Sequence, residues 1–342
     1  MHLRPRHASL VAAAALAAST LAMAPAANAV PVFVDADTHL QPYSGAYTYS
    51  GSCTTTENSA SPNVDVPVVE NGPVATSSSF VTASSTDGGP VIANLSAQST
   101  ATGSVKSVGG NPSVLDFALN GTSTNDFLAA STCELHAYAG SDLDFSFTVA
   151  QAGFLHLSFK SSGGGYSEVY IEKTPTVSDY PYYDHYGRGL KFSGDETVYL
   201  PAGTYEGYFE GEVDNRSTAD ETVSATTSVH ATFAVAGSQT EAVSGKGKKY
   251  TTLPAARSCA TDSLDATVTA KKKRAEKIKQ ITYFVNDAKV KKVKKVKKGQ
   301  VVKVPVADDV AADLTAEVTL FPKKKGKPAK TYEVSASYEA CS

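Results

Sequence analysis

The chemistry this chain advertises first is cationic. Residues 291–304 read KKVKKVKKGQVVKV, so Lys291, Lys292, Lys294, Lys295, Lys297 and Lys298 are separated only by Val293 and Val296. Two further basic runs follow the same habit, Lys271–Lys273 with Arg274, and Lys323, Lys324 and Lys325 with Lys327. A compact ammonium on a flexible stem suits diffuse contact with an anionic polymer. Of the 23 cations in residues 246–342, only Arg257 and Arg274 offer a planar fork, which disfavours base-specific reading of nucleic acid. The lysines also have a plainer use. On an exposed strand edge they block edge-to-edge pairing, while their stems cover neighbouring valines. Val290, Val293 and Val296 are three apart, a spacing that fits neither a strand nor a sustained helical stripe. The run therefore reads as a lysine-coated edge and turn.

A second group is aromatic. SDYPYYDHYGRG, residues 178–189, puts Tyr180, Tyr182, Tyr183 and Tyr186 beside Asp184 and His185. Tyrosine faces suit stacking on sugar rings while carboxylates bond hydroxyls, so glycan contact is one expectation. Packing of these tyrosines on the rim of a sandwich is the other. A third group is acidic. In TYEGYFEGEVDN, alternation sets Glu206, Glu210 and Glu212 on one strand face with Tyr208. With Asp214 or Asp195 these carboxylates have the chemistry for calcium, but the loop spacing of a dedicated site is absent, and a solvated acidic face that receives the lysines fits better. No G-x-S-x-G or H-E-x-x-H occurs, and His39, His136, His156, His185 and His230 show no ligand spacing. Asp184 and Glu206 would form a glycosidase pair only if the fold happened to join them. The chain is read as non-catalytic, with no cofactor and no metal.

Residues 1–29 join Arg4 and Arg6 to an Ala/Leu-rich run and an Ala27-Asn28-Ala29 cleavage pattern, the form of a secretory signal peptide. The mature chain is expected to start at Val30, to carry no transmembrane segment, and to be secreted, with non-covalent attachment to a cell surface left open. In an exported protein an even number of cysteines is expected to pair. Cys53, Cys133, Cys259 and Cys341 allow three pairings. Sequential pairing staples two separate modules and is favoured; each closed loop then contributes up to about 4 kcal/mol.

The elements that must carry these groups are strands. Alternating apolar patterns break at Gly, Pro, Asn or Asp about every ten residues, the signature of an all-β protein of two or three sandwich modules. LDFSFTVA is the clearest strand, with Leu143, Phe145, Phe147 and Val149 on one face and Asp142, Asp144, Ser146 and Thr148 on the other. Charge divides the chain. Residues 30–245 hold 6 basic and 24 acidic residues, a net of −18, whereas residues 246–342 hold 23 and 10, a net of +13. The expected organisation is an N-terminal β module at 30–140, a β-sandwich at 141–236, a linker at 237–258 and a lysine-rich β-sandwich at 259–342.

FSFTVAQAGFLHLSF, a variable middle and ETVYLPAGTYEGYF together resemble the jelly-roll modules appended to secreted bacterial peptidases and glycosidases, of the prepeptidase C-terminal and carbohydrate-binding type. The tail, with ITYFVNDAKVKKVKK, VVKVPV, LTAEVTLFPKKKGK and TYEVSASYEAC, resembles the immunoglobulin-like domains of secreted actinobacterial proteins. Those domains carry an apolar-Asp-Gly-Lys turn where this chain has Val285, Asn286, Asp287 and Ala288. Both resemblances imply binding or spacing modules. The expectation is a secreted attachment protein whose cationic module contacts anionic cell-wall or extracellular polymers. A carbohydrate-binding or glycan-active protein using loop 178–189 is one alternative. A purely structural chain, with its acidic and basic halves docked on each other, is another.

Overall fold

The computed structural model describes residues 32–33, 38–49, 52–107, 112–149, 151–174, 183–188, 192–322 and 327–342. The leader at 1–29, Tyr180, Tyr182 and Lys323–Lys325 lie outside the described residues. The protein is all-β and antiparallel. One front sheet runs β11 (Tyr183–Arg188), β10 (Gly165–Thr174), β13 (Gly203–Ser217), β8 (Leu135–Val149), β2 (His39–Thr48) and β4 (Val66–Pro67), with β1 (Val32–Phe33) also on β8. The other runs β12 (Phe192–Leu200), β9 (Gly153–Gly163), β14 (Glu221–Val235), β7 (Pro112–Phe127), β6 (Val91–Ser107), β5 (Ala75–Asp87) and β3 (Cys53–Ala60).

These sheets close on a shared core. Leu143, Phe145, Phe147 and Val149 of β8 all point inward, as the alternation requires, and meet Leu155, Leu157 and Phe159 of β9 with Phe117 and Leu119 of β7. Phe145 packs edge-on against Phe209 at 4.8 Å between centroids. Each such side chain contributes roughly 2 kcal/mol by burial. The upper part of the sandwich is filled by smaller groups, among them Val81, Ala83, Ala97, Ala137 and Ala139. Among the buried hydroxyls there, Ser79 bonds Ser99 at 2.7 Å and Ser123 donates to the Ala137 carbonyl at 2.8 Å. The 140/141 division falls inside β8, and residues on both sides of it supply strands to both sheets.

Behind this body stands a smaller sandwich. Its sheets are β15 (Thr251–Thr252), β16 (Ser263–Val268) and β19 (Val301–Pro305), and β18 (Ala288–Lys294), β17 (Ile278–Val285), β20 (Ala312–Leu320) and β21 (Thr331–Tyr338), with a one-turn helix α1 (Lys272–Ala275) between β16 and β17. Segment 237–258 is laid along this sandwich. It forms bridges Gln239↔Tyr338 and Ser244↔Ser335, and buries Tyr250 and Leu253 in the same core as Leu264, Ile281 and Val334. The cysteines are paired in sequence order, with Cα separations of 6.0 Å for Cys53–Cys133 and 5.4 Å for Cys259–Cys341. The first disulfide ties β3 in one front sheet to the chain entering β8 in the other.

Candidate functional site

Two surfaces carry the charged and aromatic groups. The first is one end of the C-terminal sandwich. Antiparallel pairing sets Gln280 against Lys294, Ile278 against Leu320 and Thr319 against Thr331. Connections 269–277 and 295–300 therefore emerge together, at the end where β20 leaves at Leu320 and β21 enters at Thr331. Hydrogen bonds tie them, from Gly299 N to the Thr269 carbonyl at 3.3 Å and from Phe321 N to the Lys277 carbonyl at 2.9 Å. The runs at Lys271–Arg274 and Lys294–Lys298 thus reach one basic pole, where the described flanks of the third run also end; Lys323–Lys325 lie outside the described residues.

Within that pole the individual lysines differ. Lys292, Lys294, Lys295, Lys297 and Lys298 are exposed, as are Lys271, Lys272 and Lys273. Lys291 is half-buried, and its ammonium donates to the Lys303 carbonyl at 2.5 Å, stitching edge strand β18 to edge strand β19 of the opposite sheet. Lys249 lies over the rings of Tyr250 and Tyr332, 5.3 and 4.9 Å from their centroids, a cation–π contact that the sequence reading overlooked. The valine spacing has a local cause. A register shift opposite Tyr283/Phe284 leaves Val290 without a strand partner, and Lys295 takes a left-handed φ of 55°. Val293 and Val296 can then both pack on the core despite being three apart.

The far end of this sandwich meets the front body. Gly237 N donates to the Ala340 carbonyl at 2.7 Å, and Arg257 N to the Gly237 carbonyl at 2.8 Å. The Arg257 guanidinium is buried, donating to the carbonyls of Val310, Glu339 and Ala307. One of the two arginine forks is therefore committed to backbone carbonyls within the C-terminal sandwich. Among the described residues, His156 of the front body pairs with Glu339 of the back at 3.0 Å, the reverse of the overall charge polarity. β21 runs eight residues from pole to joint, a length of about 25 Å.

The second surface is the outer face of the front sheet that holds β10, β13, β8 and β2. Its cross-strand rows place like charges directly opposite one another: Glu168↔Glu210 and Glu210↔Asp142 form one row, Tyr170↔Tyr208 and Tyr208↔Asp144 the next. Tyrosine hydroxyls bridge the rows. Tyr43 donates to Glu210 at 2.6 Å, Tyr208 to Glu168 at 2.8 Å, Tyr170 to Glu172 at 2.8 Å, and Tyr166 also donates to Glu168. Tyr170 and Tyr208 stack at 5.2 Å. Glycines seat two rings: a Cβ on Gly140 would collide with Tyr43, and one on Gly45 with Tyr138.

Electrostatics follow from that crowding. Burial, with Glu210, Asp144, Glu212 and Glu168 nearby, pushes the Asp142 carboxyl up to about 8. Burial also raises Glu210, against the Tyr43 hydrogen bond, and raises Asp144, against His39 at 3.4 Å. Asp142 Oδ1 is buried with no hydrogen-bond partner. A shallow groove on this face is lined by His39, Asp144, Tyr170, Glu172, Glu206 and Tyr208. At the top of the face Asp214 engages His136, whose ring stacks on Tyr138, and Arg216 covers Tyr49 at 3.9 Å.

The sequence reading therefore located Glu206, Tyr208, Glu210 and Glu212 on one face, but Glu210 is half-buried rather than solvated. Asp195 belongs to β12 in the other sheet, so it cannot join them. The backbone of loop 178–189 contributes β11 at the edge of this same sheet, with Tyr183↔Ile171, Asp184↔Tyr170, His185↔Val169 and Tyr186↔Glu168. Tyr43 and Tyr138 were missed. Tyr166, Glu168, Tyr170 and Glu172 were missed as well, although their strict alternation in GYSEVYIEK was a readable signal. Among the described residues, the ligand-type atoms near enough to share a metal are those of Cys53, Asp87 and Cys133, and the disulfide already occupies both sulfurs. No described helix is long and apolar enough to cross a membrane.

Neither a protein-family model nor a curated protein matches the chain. Among solved structures, the crystal structure of the adhesin domain of Epf from Streptococcus pyogenes is similar at 11% identity and a TM-score of 0.19, over 63% of this chain and 75% of that one. A TM-score that low carries no argument about fold or function.

Proposed function

We propose that this chain is a secreted, non-catalytic attachment protein whose C-terminal basic pole holds an anionic cell-wall or extracellular polymer. The observation that carries the reading is the convergence of the lysine-bearing connections 269–277 and 295–300 at one end of a sandwich, beside the ends of β20 and β21 and about 25 Å from the joint at its other end. A field of this kind reaches roughly 8 Å at physiological salt and suits a polymer, whose successive charges can engage several lysines at once. Exposed Lys292, Lys294, Lys295, Lys297 and Lys298 are the principal contacts, with Lys323–Lys325 in support, while Lys291 is already bonded to Lys303. The resemblance of the tail to immunoglobulin-like spacing modules agrees with this reading, and the lysine chemistry favours charge over sequence as the recognised feature.

The test is binding of the full mature chain to isolated bacterial walls and to a defined polyanion across a salt series, with the variant Lys295→Gln, Lys297→Gln, Lys298→Gln alongside. Loss of about three units from the slope of log K against log salt is expected in the variant, on the pattern of roughly one unit per neutralised contact. An unchanged slope would remove the pole from the reading.

A further inference from the structure

We propose that the acidic, tyrosine-lined face of one copy receives the basic pole of a second copy, joining chains head to tail. The inference rests on the pole being a contact surface, as in the function proposed above, and assigns it a protein partner as well as a polymer.

The charges belong to different bodies, −18 in residues 30–245 and +13 in residues 246–342. Within one molecule they are held apart. The bodies meet at the His156–Glu339 pair, and Gly237 N on the Ala340 carbonyl fastens the connecting segment to the back sandwich there, while the pole stands a strand length away at the other end of β21. Complementary surfaces that cannot meet within one chain can meet between two.

The front face is prepared for a cation in ways a solvated acidic strand is not. Glu168 and Glu210 stand directly opposite one another on neighbouring strands, with Asp142 beside them on a third, an arrangement of like charges that a cation relieves. The groove beside that row has exposed Glu206 and half-buried Glu172 on its rim and the Tyr170–Tyr208 stack in its wall. A lysine is the side chain that suits it, because a slender stem can lie along a ring while its ammonium reaches the carboxylates. Glu206 to Glu212 span about 20 Å along the strand, room for several lysines of one pole.

Because pole and face are different patches, the contact is heterologous, so each chain keeps one free pole and one free face. A polyanion competes for the pole and shortens the assembly.

Sedimentation velocity of the full mature chain at about 0.01 M and about 1 M salt, where screening lengths are roughly 30 and 3 Å, tests the proposal. Concentration-dependent oligomers are expected at low salt and monomers at high salt. Lys295→Gln, Lys297→Gln, Lys298→Gln and, separately, Glu172→Gln, Glu206→Gln should each weaken self-association at least tenfold while leaving the thermal melt intact. Mixed in equal amounts, the two variants should give a dimer, because one keeps its face and the other its pole. A monomer at low salt, self-association that survives either variant, or a mixture that stays monomeric would overturn the proposal, as would a face that takes up a neutral glycan and no second copy. The face variant should still bind wall polymer. If it does while self-association is absent, this inference alone falls. If the unmodified chain neither binds polymer nor self-associates, the proposed function falls with it.

Discussion

At the scale of the residue, Asp142 concentrates the unusual chemistry of the front sheet. Its carboxyl is raised to about 8 by burial and by surrounding carboxylates, against an ordinary value of about 4. The folded form therefore keeps its proton while the unfolded chain gives its own up. Stability is intact below about pH 4, declines as pH rises toward 8, and is level beyond. Asp142→Asn should flatten that decline and add about 2 kcal/mol at pH 8, a figure that allows for partial exposure; thermal melts from pH 4 to 9 measure it. A steeper decline in the variant would show that the carboxylate is better compensated than its surroundings indicate. His156 shows the opposite chemistry at the joint. Glu339 raises its pKa, so the pair stabilises the joint fully below about pH 6.5 and fades as pH climbs through the raised value. Glu339→Gln should speed proteolysis near residues 236–240 more at pH 6 than at pH 9. Equal effects at both values would mean that the histidine charge is not involved.

At the scale of the element, strand identity was legible wherever a period of two was unbroken. LDFSFTVA reads in sequence as it folds, because Phe145 and Phe147 meet a core and Asp144 and Ser146 do not. Strand β17 was harder. A register shift between Ile278 and Gln280 lets Ile278 and Ile281 both face inward, which scrambles the alternation of KIKQITYFV. Its turn into β18 has the same cause of obscurity. Asn286 and Asp287 both take positive φ, 47° and 62°, in a two-residue hairpin turn that normally ends in glycine. Asn286 is anchored, donating to the Ala311 carbonyl at 3.0 Å and accepting from Asp313 N at 2.8 Å, whereas Asp287 is exposed. Asp287→Gly should therefore stabilise the sandwich by about 0.5–1 kcal/mol, read as a rise in Tm. A fall in Tm would mean that Asp287 makes a contribution the turn geometry does not reveal. The acidic face was only half readable for a different reason: which strands lie beside β13 is decided by pairings across tens of residues, and no local pattern in TYEGYFEGEV announces that Glu168 and Asp142 will flank Glu210.

At the scale of the whole molecule, the charge asymmetry was plain in the sequence, but its placement was not. Counting gave two halves of opposite sign, and the three lysine runs read as loops or edges of one small sandwich that would make a cationic patch if two of them shared a face. Which runs do so follows from antiparallel connection order, which returns residues 269–277 and 295–300 to the same end. The segment at 237–258 has linker composition, yet Tyr250 and Leu253 are buried in the C-terminal core, and Arg257 is spent on backbone carbonyls. The result is a molecule with a fixed joint, an acidic aromatic face on one body and a lysine pole at the far end of the other. The salt dependence of polyanion binding by the full mature chain tests attachment through that pole. Affinity that falls steeply and linearly in log–log form as salt rises, with a shallower slope once Lys295, Lys297 and Lys298 are glutamine, is the result predicted. Binding that ignores salt, or that keeps its slope without those lysines, would contradict it.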